Sequence, residues 1–340
     1  MTDMVAGILL AAGRGHRLRP LTDHLPKPLL QILNRPLAAW LVHSLEKAGI
    51  NSIALNTHHL HSEMESWAAA WQGRVRLQTR REPALSGPAG GLVAAMTGLG
   101  SGYERLLVVS GDAYTSVDFS RLLSAHRDSG AVMSVVAKNV ADPHRFGRLT
   151  IDGRNRVLAV SEKALDGESL VSCGIYVLDK QVTSCLPTWS ADYRDFDFGK
   201  HVIPRLAALG EHVHAHVTDD FWTDVGELEI LWAANLEALY SSRMTEVATR
   251  CPETRADIWC QGAHSSLTNV QISGRALLGP SCELQPDVQL HGDVVVGSGA
   301  RLQAGAIVRD CVVLPGAVVP PGNFSGGLIT GHGQYLVGRA

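Results

Sequence analysis

Positive charge is in short supply in this chain. Lysine and arginine together number 30 against 33 aspartates and glutamates, a net charge of -3. That balance lacks the basic field needed to track a nucleic-acid backbone, so nucleic acid is not an expected partner. Cysteines at metal-binding spacing are missing too. Cys173, Cys185, Cys251, Cys260, Cys282 and Cys311 stand apart with no CxxC pair, which argues against a zinc knuckle and against a disulfide framework, and they read as buried small side chains. No long apolar run occurs at the start. Val5 to Ala12 breaks at Gly13 with arginines following, so the stretch reads as neither signal peptide nor anchor, and a cytoplasmic location without membrane contact is expected.

What is present is the composition of a folded chain. Hydrophobic residues make up 45% of 340 residues and charged ones 19%, enough to bury a core and more than one domain's usual length. The first two thirds alternate short β-branched runs (Val5–Leu10, Ser52–Asn56, Val75–Thr79, Arg105–Ser110, Val132–Ala137) with helical patterns such as Pro36–Ala48, which Gly49 closes. Gly147–Ile151 and Val157–Val160 read as a hairpin around Asp152 to Asn155, followed by a strand over Val171–Leu178 and a helix over about Glu227–Arg243. Alternating strands and helices predict an α/β, Rossmann-like, mostly parallel sheet with ligands at the carboxyl ends of its strands. From about Ile272 small residues and single aliphatics recur about every six positions, as in LLGPSC, VVVGSG, RLQAGA and VVLPGA. That texture resembles hexapeptide-repeat proteins and predicts a short left-handed parallel β-helix. The expected organisation is an α/β domain over 1–243, a linker over 244–270 and the β-helix over 271–340. A solenoid this short leaves end surfaces to cover, so a homo-oligomer is expected.

The informative stretch runs from Ile8 to Thr22: a buried strand entering a glycine loop, Gly13-Arg14-Gly15, with Arg17 and Arg19 close behind and Lys27 between Pro26 and Pro28. Glycines let backbone amides approach phosphate, Arg17 can neutralise oxygens bidentately, and Lys27 adds a second cation on a stiff stem. Asp112 ends an apolar strand and Asp224 sits in a similar setting. Mg²⁺ bound to phosphates takes one or two protein carboxylates, which suits this pair.

The string LLAAGRGHRLRPLTDHLPKPLL, Leu9 to Leu30, resembles the signature of the sugar-1-phosphate nucleotidyltransferases. Further marks of that family follow in order: Glu82-Pro83 with Gly87 to Gly91, Ser110-Gly111-Asp112, Gly147, Glu162-Lys163, Gly174-Ile175-Tyr176 and Trp222 to Gly226. The resemblance, strongest to the mannose-1-phosphate guanylyltransferase and glucose-1-phosphate adenylyltransferase branches that carry a β-helix, covers residues 4 to 240. It implies an enzyme (EC 2.7.7 class) that joins a nucleoside triphosphate to a sugar 1-phosphate and releases pyrophosphate. It implies that Asp112 and Asp224 bind Mg²⁺, that Arg17 and Lys27 neutralise phosphate charge, and that Leu10, Ala11, Ala12, Gly13, Arg14, Gly15, Glu82, Gly87, Ala89 and Gly90 hold the nucleotide. Gly147, Glu162, Lys163 and Ser172 then face the acceptor.

The chain departs from the pattern at His16, Pro88 and Ser110, and most tellingly at Val171-Ser172-Cys173-Gly174, where relatives carry Asn for sugar hydroxyls. Ser172 is shorter, so the expected acceptor is a ring with altered contacts, such as a cyclitol 1-phosphate. Guanylyl transfer is placed ahead of adenylyl or thymidylyl transfer. A silent nucleotide-sugar-binding subunit is the other-class alternative, opposed by the retention of Arg17, Lys27, Asp112, Lys163 and Asp224 together. An acyltransferase acting through the β-helix is a third, opposed by the short repeat. The histidine groups His58/His59/His61 and His212/His214/His216 read as solvated or packed side chains rather than a zinc site, and Trp67 and Trp71 as one helix face.

Overall fold

The computed structural model describes residues 4–100, 102–161, 167–251, 257–263, 267–331 and 333–336. The chain divides into two compact units, one comprising residues 1–30 and 37–224, the other 31–36 and 225–340.

The first unit is built on a nine-stranded sheet. Its strands are β1 (Val5–Leu10), β2 (Ser52–Thr57), β3 (Arg76–Arg81) and β4 (Arg105–Ser110). A separate short strand, β5 (Ala113–Thr115), precedes β6 (Met133–Val140), β7 (Arg148–Ile151), β8 (Val157–Ser161), β9 (Ser169–Asp179) and β10 (Val213–Val217). β1 lies between β4 and β2, parallel to both, and β2 is parallel to β3. β9 runs antiparallel to β4 and to β6. The apolar runs of the central strands are continuous because both faces are covered. Ile8 and Val108 face one core cluster while Leu9 and Val109, their neighbours along the strands, face the other.

The helices follow from local chemistry. α1 (Leu37–Lys47) buries Leu37, Trp40, Leu41 and Leu45 on one face, the helical spacing that the sequence shows. α2 (His61–Ala69) follows β2, and α3 (Pro88–Met96) begins with proline in its first turn, where a missing N–H costs nothing. α4 (Phe119–Ser129) is capped by the Asp118 carboxylate, which accepts the amides of Ser120 and Arg121. α5 (Lys180–Ser190) and α6 (Ile203–Ala208) complete the unit. Strand β11 (Trp222–Asp224) pairs antiparallel with β5, setting Asp224 opposite Ala113.

The second unit contains helix α7 (Leu228–Ala238) and a stack of parallel strands, Asp257–Cys260, Gln271–Leu278, Gln289–Val296, Ala306–Val313 and Gly322–Thr330. Pairing of Gln271 with Gln289 and Leu277 with Val295 repeats after 18 residues, three times the hexapeptide period. A second parallel sheet stacks Glu283–Leu284, Arg301–Leu302 and Val318–Val319. One inward aliphatic per side fills the core, with Leu278, Val296 and Val313 along one line, as expected for a β-helix. Short antiparallel strands, Thr249–Arg250 and Gly333–Leu336, close the two ends of the larger sheet and blunt its edges.

Two boundaries differ from the sequence reading. The division falls after Asp224 rather than 243, because α7 packs on the β-helix strands, and 244–270, expected as a linker, contains the strand Asp257–Cys260 paired with the stack. The hairpin Gln31–Pro36 also belongs to the second unit. Asn235 on α7 fixes it: its Oδ1 accepts the Leu33 amide at 2.9 Å and its Nδ2 donates to the Gln31 carbonyl at 3.0 Å.

Candidate active site

Three distant segments converge at the carboxyl end of β4. Lys27 leaves a 3₁₀ turn held by Pro26 and Pro28, Asp112 follows β4, and Asp224 ends β11. The Lys27 ammonium lies 2.5 Å from Asp112 Oδ2 and 3.1 Å from Asp224 Oδ1. Ser110 Oγ donates to the other oxygen of Asp112 at 2.6 Å.

Electrostatics separate the two carboxylates. Burial would raise Asp112, but the Lys27 charge and the hydrogen bonds from Lys27 and Ser110 hold it below the ordinary carboxylate value. Asp224 is pushed up to about 6, by burial first and by the Asp112 charge second, with Lys27 opposing. Burial pulls Lys27 down, yet its two carboxylate partners together keep it above the ordinary lysine value, so it is a fixed cation.

Beside this cluster opens a cavity of about 770 Å³, lined among others by Asp112, Arg145, Gly147, Ser172, Tyr176, Asp197, Lys200, Trp222 and Asp224. Its walls are aromatic. Tyr176 stacks on Phe198 at 4.2 Å between centroids, and Phe146 meets Trp222 edge to face at 5.1 Å. Such walls suit the C–H faces of a ring with polar groups around its rim. Gly147 and Ser172 both line it, and the Ser172 amide donates to the Gly147 carbonyl at 3.0 Å. The Ser172 hydroxyl is 3.1 Å from the Tyr176 hydroxyl. Cys173, also in the wall, has its thiol pushed up to about 12 by burial and is neutral. Glu162 and Lys163 lie outside the described residues.

The glycine loop after β1 is shaped by contact as much as by openness. Gly15 has φ +63, and a Cβ there would come within 2.8 Å of the Thr22 methyl, whose hydroxyl donates to the Gly15 carbonyl. Gly13, Arg14 and Arg17 are exposed, Leu10 and Gly15 half-buried, and Ala11 and Ala12 buried. Arg17 stands on the turn His16–Leu18 and does not line the cavity.

Gly87 precedes α3, and Pro88 to Gly90 form its first turn. Its Ala89 and Gly90 amides are donated to the Phe196 carbonyl at 2.9 and 3.2 Å, and the Phe196 amide to Ser86. The Ala89 and Gly90 amides are thus both engaged within the protein. Glu82 is buried: Asn56 Nδ2 donates to its Oε1 at 2.7 Å and Ser86 Oγ to its Oε2 at 2.5 Å. Asn56 Oδ1 in turn accepts the Ala11 amide at 2.8 Å. One hydrogen-bonded chain thus links the loop after β1 through Asn56, Glu82 and Ser86 to Phe196, the residue before Asp197 at the cavity.

Asn56, Arg145, Asp197 and Lys200 were not singled out from the sequence, and Tyr176 stood there only within the mark Gly174-Ile175-Tyr176. The available signals were a polar residue closing an apolar strand, for Asn56, and a glycine beside a charge in Asp197-Phe198-Gly199-Lys200. Among the described residues no group of three or more His, Cys, Asp or Glu could hold a metal. His58 and His59 bond the carbonyls of Glu82 and Thr22, and burial and neighbouring positive charge lower His214 and His216. No helix among the described residues is long and apolar enough to cross a membrane.

A family model described as nucleotidyl transferase matches residues 6–241. The chain belongs to the nucleotidyl transferase family. The resemblance to the sugar-1-phosphate nucleotidyltransferases read from the sequence therefore holds. The chain is 26% identical to a UTP–glucose-1-phosphate uridylyltransferase of Synechocystis, covering 93% of this chain and 84% of that protein. It is also 26% identical to a mannose-1-phosphate guanylyltransferase of Mycobacterium tuberculosis, covering 91% and 84%. Among solved structures it is similar to a putative glucose-1-phosphate thymidylyltransferase from Bacillus anthracis, with a TM-score of 0.61 and 25% identity over 69% of this chain and 95% of that one. These relatives differ in base, and uridylyl transfer joins the bases weighed from the sequence.

Proposed function

We propose that the enzyme transfers a nucleotidyl group from a nucleoside triphosphate to a sugar 1-phosphate or cyclitol 1-phosphate. The convergence of Lys27, Asp112 and Asp224 beside an aromatic-walled cavity carries the reading. An acceptor phosphate oxygen attacks the α-phosphorus in line, the bond to the bridging oxygen breaks, and pyrophosphate leaves with that electron pair. No protein nucleophile is needed. The protein's task is orientation and charge neutralisation. Lys27 supplies a fixed positive charge, Arg17 a second on the loop, and the cavity orients the acceptor ring.

Asp112 and Asp224 fit a divalent cation: their carboxylates are close enough to share one ammonium, and oxygen donors are what Mg²⁺ takes. When bound, the cation would offset charge on the phosphates. Guanylyl transfer stands ahead of adenylyl, thymidylyl or uridylyl transfer, supported by similarity to the mycobacterial guanylyltransferase. A cyclitol acceptor is supported by Ser172, whose short hydroxyl is engaged by Tyr176. The test is pyrophosphate release with Mg²⁺ from GTP, ATP, UTP and dTTP, each against mannose, glucose and cyclitol 1-phosphates. Turnover with one pair names base and acceptor, comparable turnover with hexose phosphates defeats the cyclitol reading, and no turnover from folded protein defeats the transferase reading.

A further inference from the structure

We propose that Lys27 is a place-holding cation that occupies the carboxylate pair until metal and triphosphate arrive together. The inference rests on Asp112 and Asp224 being the cation ligands. Lys27 Nζ bonds one oxygen of each carboxylate at 2.5 and 3.1 Å, so the ammonium takes the ground on which a divalent ion would be coordinated. Two carboxylates held this close repel one another unless a cation joins them. The lysine bonds both carboxylates and keeps the pair assembled across segments 85 and 197 residues away in sequence.

A divalent ion and an ammonium cannot both sit between the same oxygens, because like charges at contact distance repel strongly. A metal that takes those two oxygens therefore displaces the lysine. Lys27 cannot leave for open water, since its stem is buried in the turn between Pro26 and Pro28 and only its head can swing. A displaced ammonium in a buried site needs a new anion, and the triphosphate brings one along with the metal. Metal binding by itself is consequently weak, and cation and triphosphate bind cooperatively. Lys27 thus acts twice, as a strut between the two carboxylates and, once metal and triphosphate bind, as a phosphate ligand.

Mn²⁺ binding by the full chain, measured without nucleotide by electron paramagnetic resonance, tests this. Lys27→Met is expected to bind Mn²⁺ alone at least about tenfold more tightly than the unsubstituted protein, the usual size of such a coupling. Lys27→Gln serves as a second variant, and thermal melting checks that each folds. Asp112→Asn is expected to abolish the binding. Equal Mn²⁺ affinity with and without the lysine, alongside loss of binding in Asp112→Asn, overturns the place-holding role alone. Unchanged binding in Asp112→Asn overturns it together with the assignment of the carboxylates as metal ligands.

Discussion

Ser86 Oγ donates to the Glu82 carboxylate at 2.5 Å, and this bond ties the start of α3 to the end of β3. Hydrogen bonds to a charged acceptor contribute about 1.5–3 kcal/mol. Ser86→Ala should therefore loosen the turn that runs on to Phe196. The expected result in steady-state kinetics is a KM for the triphosphate raised about tenfold with kcat within about threefold, and recovery in Ser86→Thr. A fall in kcat with KM unchanged would assign the serine elsewhere.

Asp112→Ala removes one of the two carboxylates that Lys27 joins. Mg²⁺-dependent turnover should fall about 10²-fold or more, since a lost electrostatic contact of this kind costs several kcal/mol in the transition state. Circular dichroism should report an intact fold. Full activity in that variant removes the proposed metal role.

Much of this site could be read before any coordinates. Lys27, Asp112 and Asp224 each stand in a recognisable string, and the apolar run of β4 places Asp112 at a strand end. Their meeting is a matter of tertiary structure, and no local pattern encodes a contact spanning 197 residues. Gly87 to Gly91 hid a helix because glycine is the poorest helix former after proline. The glycine at 91 is present for packing: a Cβ there would come within 2.3 Å of the Asn56 amide. Pro88, a favoured first helical residue, is the local signal of the helix start. Nothing in Gln31–Pro36 announces a hairpin bound for the other unit, because its partner Asn235 looks like any polar residue on a helix.

Acid should weaken cation binding. Burial and the neighbouring Asp112 charge push Asp224 up to about 6, above its ordinary carboxylate value. Its protonated form is therefore the one favoured on folding; that contribution is complete below the ordinary carboxylate pKa and is lost as pH rises through about 6. A cation competes with that proton. Mn²⁺ affinity should drop about tenfold for each pH unit below 6 and level off above it. Calorimetry in two buffers of different ionisation enthalpy should show about one proton released per ion at pH 5. A flat profile from pH 5 to 7.5 would contradict this value for Asp224.

Asn235→Ala should destabilise the second unit. The change strips the buried Leu33 amide and Gln31 carbonyl of their partner, and each unsatisfied buried group costs about 1–3 kcal/mol. Urea unfolding should show a loss of about 2 kcal/mol or more. Loss of less than about 0.5 kcal/mol, the usual range for a surface change, would mean the hairpin is held by packing alone.

The same asparagine sets an order of events at the ribosome. The Leu33 amide emerges 202 residues before the side chain that accepts its hydrogen bond, and the hairpin leaves the tunnel while the strands of its own unit have yet to be made. Synthesis of the first unit's strands thus proceeds around a segment that must wait. A fragment cut at residue 225 would lack six residues of its own unit, and a protein truncated there would keep a hairpin with nothing to close on.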